Sequence, residues 1–273
     1  MRINNKKYEF KSIEDIKIVH ISDIHFSDNF NLKNLDLILE NIKMQNPDYI
    51  CITGDLIDKT NIKNESIEKY IDWLKKLATI NKTIVVLGNH DIEYRTKKEN
   101  KHKENEYFIS SLKKIKNLYL LRNDIYKDKN ITFVGREIEY EHYTNKTIDT
   151  NKINNLIPDI KHNIMLIHDP SHILNNKDKI NFENLDLILC GHTHGGLAFE
   201  FIPGHFGFIS PHKKLFPKNM RGLFSISNTK LIISSGITKL SECSGLNKLS
   251  NIFSSNIITI SLKNKVIKSK KTC

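Results

Sequence analysis

The feature that most constrains this chain is a series of short apolar runs, four to six residues long and almost unbroken by polar side chains: Ile16–Ile21, Tyr49–Thr53, Thr83–Leu87, Leu118–Leu121, Ile131–Val134, Ile164–Ile167 and Leu185–Cys190. A strand with one wet face alternates apolar and polar residues; a continuous run calls for cover on both faces. Helical patterns separate the first three runs. Leu35, Ile38 and Ile42 recur at helical spacing after Asn31, and Ile67, Ile71, Leu74 and Leu77 follow Asn64 to Ser66, which supply an N-cap signal. Strand, helix, strand, helix, strand is βαβαβ and predicts a parallel sheet. The end of the chain differs: Gly222–Ser227 and Lys230–Ser234 read as short strands joined by a hairpin at Asn228-Thr229, with a last strand at Ile257–Leu262. The expectation is an α/β fold, a four-layer αββα sandwich with mixed β-sheets. Its first half is mainly parallel and its second mainly antiparallel, in a single domain over residues 1–273. The Lys-rich segment Tyr94–Glu106 reads as an exposed loop or helix start, and Lys265–Lys271 as a solvated tail.

Polar residues of one kind gather where the runs end. Ile21 is followed by Ser22-Asp23-Ile24-His25, Thr53 by Gly54-Asp55-Leu56-Ile57-Asp58, Leu87 by Gly88-Asn89-His90-Asp91, Ile167 by His168-Asp169-Pro170, and Cys190 by Gly191-His192-Thr193-His194-Gly195-Gly196. Sites in open α/β sheets form at the carboxyl ends of strands. Each block alone is weak: a Gly-Asp pair is commonly a turn, and His-x-His is often surface decoration. Five in succession, each after an apolar strand, point to one constellation. Imidazole, carboxylate and amide oxygen together suit divalent first-row metals such as Mn, Fe, Zn or Co, and the lack of thiolates argues against a structural zinc site.

These five blocks, from Asp23 to His194, resemble the signature of the calcineurin-like metallophosphoesterases: Asp-x-His, Gly-Asp-x-x-Asp, Gly-Asn-His-Asp, a lone His, and Gly-His-x-His. The resemblance implies two divalent metal ions. Asp23, His25 and His194 would hold the first, Asn89, His168 and His192 the second, and Asp55 would bridge them. His90 would face the substrate as general acid or charge stabiliser, Asp91 would orient His90, and Asp58 would be a supporting hydrogen-bonder. The activity implied is hydrolysis of a phosphodiester or pyrophosphate bond by metal-activated hydroxide.

Phe216-Pro217-Lys218, Gly222-Leu223 and Ser234-Ser235-Gly236-Ile237 extend the resemblance toward a branch of small bacterial phosphodiesterases that includes UDP-diacylglucosamine hydrolases. That branch implies a small-molecule or lipid-linked phosphoester and a cytoplasmic enzyme, peripheral to the inner face of the membrane. Two departures leave the substrate open: Leu197 stands where relatives often carry Gln, and Ser241–Asn251 shows neither the Arg nor the Pro-Glu pair common there. The alternatives are a non-catalytic scaffold of the same fold, against which the filled ligand positions argue, and a nuclease, for which no second nucleic-acid module is evident.

Composition limits the remaining classes. The 273 residues carry 42 Lys+Arg against 31 Asp+Glu, a net charge of +11 that attracts polyanions or simply coats a solvated surface. No Cys-x-x-Cys pair occurs among the four cysteines, and Cys51 and Cys190 read as buried and inert. Met1–Phe10 lacks the apolar core of a signal peptide, and no apolar stretch approaches the roughly 20 residues that cross a bilayer. His20 reads as a packed core histidine, while His162, His172, His205 and His212 are expected at the surface. Arg95 and Arg136 suit either phosphate binding or surface pairing. The stretch Leu197–Phe216, with Phe199, Phe201, Phe206 and Phe208, either packs under the sheet edge or forms an acyl-chain or membrane-surface patch.

Overall fold

The computed structural model describes residues 3–12, 14–58, 62–92, 94–95, 102–103, 105–138, 148–160, 162–197, 206–208, 215–238 and 255–264. Phe199, Phe201, His205, His212, Ser241–Asn251 and Lys265–Lys271 lie outside them. Two six-stranded mixed sheets face each other. The first contains β1 (Ile3–Ser12), β2 (Ile16–Ile21), β3 (Tyr49–Thr53), β4 (Lys82–Val86), β7 (Leu118–Leu120) and β14 (Ser255–Asn264), in the order β1-β14-β2-β3-β4-β7. The second contains β8 (Asp124–Asp128), β9 (Ile131–Arg136), β10 (Asn163–Ile167), β11 (Leu185–Cys190), β12 (Gly222–Ile226) and β13 (Thr229–Ile233), in the order β12-β13-β11-β10-β9-β8. A small antiparallel pair, β5 (Tyr94–Arg95) with β6 (His102–Lys103), lies in the stretch expected as loop or helix start.

The unbroken apolar runs follow from this layering. Alternate residues of each run serve two different cores. Between the sheets, Ile18, Cys51, Ile84 and Val86 meet Phe133, Ile164, Leu166, Leu187, Leu189 and Ile232. The intervening Val19, Ile21, Ile50, Ile52 and Val85 face outward under α1 (Leu32–Gln45) and α2 (Asn64–Ile80). On the second sheet Met165, Ile167, Ile188 and Leu231 share the outer core with Ile153 of α5 (Thr150–Leu156) and Ile173 of α6 (Ser171–Leu174). Most of these side chains are wholly buried, and each contributes about 1.5–3 kcal/mol by leaving water. The remaining helices are α3 (Asn89–Ile92) and α4 (Glu106–Leu112).

Several expectations need correction. The second sheet is mainly parallel: β9, β10, β11 and β13 pair in parallel, and among its described strands only the outer β8 and β12 run antiparallel, while β14 of the first sheet is antiparallel to β2 and parallel to β1. The crossovers that make this possible carry helices of seven and four residues, too short to leave a periodic signal. The hairpin turn is Ser227-Asn228, because Thr229 is buried in β13 and its hydroxyl donates to Phe182 O and Leu185 O. Asn31 caps α1 by accepting from Lys33 N, but α2 is preceded by Lys63, which makes no side-chain cap. Arg136 is buried at the end of β9, where it donates to Asn123 Oδ1, and His172 is buried in α6, with its Nε2 3.7 Å from Asp169 Oδ2. His162 is half-buried against Asp186 at 2.9 Å. No helix among the described residues is long and apolar enough to cross a membrane.

Candidate metal centre

Five loops at the carboxyl ends of β2, β3, β4, β10 and β11 meet at one edge of the sandwich. They are laced by backbone hydrogen bonds. Asp23 N donates to Gly54 O at 3.0 Å, His25 N to Asp55 O at 2.9 Å, Gly191 N to His168 O at 2.9 Å, and Thr238 N to Asp23 O at 2.9 Å. The loops also touch without room for side chains: a Cβ on Gly88 would lie 2.2 Å from Asp55 Oδ1, and one on Gly54 would lie 2.5 Å from Gly88 N. Gly54 additionally sits at φ +81°, a conformation L side chains rarely adopt.

Non-glycine residues carry the same conformation where chemistry requires a side chain. Asp23, His25, Asp55, His192 and His194 stand at φ 53°, 47°, 51°, 70° and 48°. Left-handed backbone costs roughly 1–2 kcal/mol at a residue with a Cβ, and such strain concentrates at functional sites. It turns five side chains into one volume that ordinary loops would not let them share.

The structure brings together all seven candidate ligands and His90. Donor atoms of Asp23, His25, Asp55 and His194 lie within 4.8 Å of one another, and those of Asp55, His168 and His192 do the same. Asp55 Oδ2 stands 3.4 Å from His25 Nε2 and 3.2 Å from His168 Nε2, and so joins the two groups. Asn89 Oδ1 is 3.0 Å from His192 Nδ1, which is itself 3.2 Å from His168 Nε2.

The outward-facing ring nitrogens are assigned by their surroundings. His168 Nδ1 lies 2.6 Å from Thr53 O and His194 Nδ1 lies 3.0 Å from Thr238 O, so both nitrogens donate. The Nε2 atoms then present lone pairs inward, where His194 Nε2 meets His25 Nε2 at 3.1 Å. Buried lone pairs packed against each other and against carboxylate oxygens call for positive charge between them. Imidazole, carboxylate and amide donors suit divalent first-row ions in that role.

Electrostatics agree. Burial opposes ionisation of Asp55, but the charges of His168 and His90 overcome it and hold its carboxyl well below the usual range. Burial likewise opposes charge on His168, and the Asp55 carboxylate outweighs it, raising His168 to about 10. The centre itself thus demands a cation, whether proton or metal, beside Asp55. His20, as expected, is a core residue: it is buried, its Nε2 is 2.8 Å from Thr53 Oγ1, and burial lowers its pKa to about 3.

His90 stands at the edge of this group. Its N–H donates to Asp55 Oδ1 at 2.9 Å, its ring meets that of His25 edge-on at 4.4 Å, and its Nδ1 is 3.3 Å from Asp58 Oδ1. Asp58 therefore supports His90. Asp91, expected to orient His90, commits its carboxylate to backbone: Oδ1 accepts from Leu56 N and Ile57 N, and Oδ2 from Gly88 N. It pins the Asp55 loop to the Asn89 loop.

Sequence reasoning missed two contributors. Thr238 ties His194 to the Asp23 loop through its carbonyl, its N–H and its hydroxyl, which donates to Ile24 O. Asp169 is buried beside His192, with Oδ2 3.7 Å from His192 Nε2 and also 3.7 Å from His172 Nε2. A carboxylate on the Nε2 side of His192 favours a proton on that nitrogen and leaves Nδ1 directed at the centre. The only sequence signal for Asp169 was its place next to His168. Asp169→Asn should weaken metal binding roughly ten- to hundredfold, measured by chelator competition, with an unchanged far-UV spectrum. Unchanged affinity would remove Asp169 from this role.

Comparison with known proteins agrees with the fold and shows the family. The family model described as calcineurin-like phosphoesterase matches residues 16–196. An uncharacterised metallophosphoesterase of Campylobacter jejuni is 31% identical over 253 residues, covering 86% of this chain and 59% of that protein. One from Helicobacter pylori is 27% identical over 240 residues, covering 84% of this chain and 56% of that protein. The chain thus spans little more than half the length of these relatives. The crystal structure of TT1561 from Thermus thermophilus shares the fold, with a TM-score of 0.52 at 11% identity over 82% of this chain and 90% of that one. The chain belongs to the calcineurin-like phosphoesterase family, a family of metallophosphoesterases.

Proposed function

We propose that residues 1–273 act as a single domain, a dinuclear metal-dependent phosphoesterase that cleaves a phosphodiester or pyrophosphate bond. The observation that carries this reading is Asp55, whose Oδ2 lies within 3.4 Å of one histidine in each of two donor groups. Asp23, His25, Asp55 and His194 would hold one divalent ion, and Asp55, Asn89, His168 and His192 the other. Two such ions, when bound, neutralise phosphoryl charge and make water a nucleophile at neutral pH.

The chain's own residues do the rest. Thr53 O and Thr238 O hold His168 and His194 in the metal-binding tautomer. Protonated His90, with Nδ1–H on Asp58, offers Nε2–H to the leaving oxygen as general acid. Asp91 fixes the distance between the loops that carry Asp55 and His90. Asp23 and Asp55 set two negative charges against four positive ones, leaving a balance that one hydroxide and a monoanionic diester complete. A phosphomonoester would overfill it, which favours the diester.

Within the family, the stretch after His194 suits a phosphoester attached to a lipid, as in the UDP-diacylglucosamine hydrolase branch. Manganese is the first metal to supply, and the inner membrane face is the location this reading expects. The test is a phosphoester panel after Mn reconstitution: bis-p-nitrophenyl phosphate, nucleotides, cyclic dinucleotides, oligonucleotides and nucleotide-sugar lipids. Hydrolysis of diesters with about two metals per chain supports the proposal. Fewer than one metal per chain and no turnover would favour a scaffold, and preference for oligonucleotides a nuclease.

A further inference from the structure

A third donor group stands at the edge of the centre, and the two-ion reading leaves it unused as a group. Donor atoms of His25, Asp58 and His90 all lie within 4.8 Å of one another. His25 is buried, whereas the side chains of His90 and Asp58 are 18% and 24% exposed. The group therefore runs from the buried centre out to solvent. Backbone contacts hold its members in place. Asp58 N donates to Phe26 O at 2.9 Å, Phe26 bridges to Ile57, and His90 N donates to Asp55 Oδ1 at 2.9 Å.

The spacing fits an ion between the donors. Two donors about 2.1 Å from one divalent ion, at octahedral to tetrahedral angles, lie roughly 3.0–3.4 Å apart. Asp55 Oδ2 shows that spacing to His25 Nε2 and His168 Nε2, at 3.4 Å and 3.2 Å. His90 Nδ1 and Asp58 Oδ1 show it too, at 3.3 Å, which is just beyond the usual range of about 2.7–3.2 Å for an N–H···O bond. Burial adds a second sign. His25 Nδ1 is buried and no hydrogen bond among the described residues reaches it, so this ring has a nitrogen to spare while Nε2 serves the centre. One carboxylate and two imidazoles suit the same divalent first-row ions. A ring that serves two ions is a poorer donor to each, and water competes at Asp58 and His90. This group therefore fills after the two of the centre.

We propose that His25, Asp58 and His90 form a third, weaker divalent-cation site, and that filling it switches His90 from general acid to metal ligand. With an ion on Nδ1, His90 is a neutral ring whose remaining Nε2–H is a far weaker acid than imidazolium. Excess of the activating metal then inhibits, most for substrates whose leaving oxygen needs a proton. That consequence for turnover rests on the phosphoester reading, whereas the site itself is tested by binding. Metal-free protein is titrated with Mn into large excess, and free Mn is followed by its electron paramagnetic resonance signal. Wild type should take up two ions tightly and a third more weakly. Asp58→Asn and His90→Ala should each weaken the third step roughly tenfold or more and keep the first two. As the third ion binds, wild-type turnover of an alkyl diester should fall while that of bis-p-nitrophenyl phosphate holds. Saturation at two ions overturns the third site and leaves the dinuclear reading standing; saturation below two overturns both. A third ion that binds both variants as it binds wild type is an ordinary surface ion and also overturns the assignment. Equal inhibition of both esters refutes the switch.

Discussion

Asp55→Asn should lower turnover by at least about 10³-fold, equivalent to about 4 kcal/mol, and should reduce bound metal from about two ions per chain to at most one. The expectation rests on position. Asp55 Oδ2 is the oxygen shared by the two donor groups, at 3.4 Å from His25 Nε2 and 3.2 Å from His168 Nε2, and Oδ1 accepts the His90 N–H at 2.9 Å. An amide keeps the size and one carbonyl oxygen but loses the charge that balances two cations. Asn also tolerates the left-handed backbone that Asp55 adopts at φ 51°, so the variant should fold. The measurement is metal content by mass spectrometry beside turnover of a small diester. Full metal content with wild-type turnover would show that Asp55 is not shared and would refute the dinuclear reading. Replacement by Ala is less informative, because it also leaves the His90 N–H without its acceptor and places a poor residue at positive φ.

How much of this was legible in the sequence follows from where each residue sits. The central strands were readable because both of their faces are buried; Ile50, Cys51 and Ile52 alternate between two cores and leave no polar gap. The edge strands β1 and β8 carry no such unbroken apolar run. Ile3–Ser12 contributes Tyr8 and Phe10 to the core between the sheets and fills its other face with residues such as Lys7, Glu9 and Lys11, so its composition resembles a polar terminus. Asp124–Asp128 has the same character at the opposite sheet's edge. Parallel pairing in the second sheet was hidden because α5 and α6 are too short to show a period.

In the site, side-chain donors announce themselves by type and spacing, and the structure gathers them. Their supports do not. Thr53 O and Thr238 O are backbone carbonyls with no sequence signature, and the latter reaches His194 from 44 residues away. Asp91 was legible as part of a block, but its partners are backbone amides, which no sequence pattern specifies.

The second large effect separates metal binding from catalysis. His90→Ala should retain the metals and slow turnover of an alkyl diester roughly 10²–10⁴-fold. His90 touches the centre through its backbone, since its N–H donates to Asp55 Oδ1, and alanine preserves that bond. Its imidazole contributes through Nδ1 on Asp58 and the edge-on contact with His25, outside the Asp55–Asn89–His168–His192 group. A general acid is needed most where the leaving group is basic. The loss should therefore be large for an alkyl diester and small for p-nitrophenyl esters, whose leaving oxygen needs little help. Asp58→Asn should reproduce part of the same pattern by leaving His90 less firmly held. An equal loss for good and poor leaving groups would reassign His90 to stabilising phosphoryl charge. Unchanged turnover with every ester would remove it from the reaction.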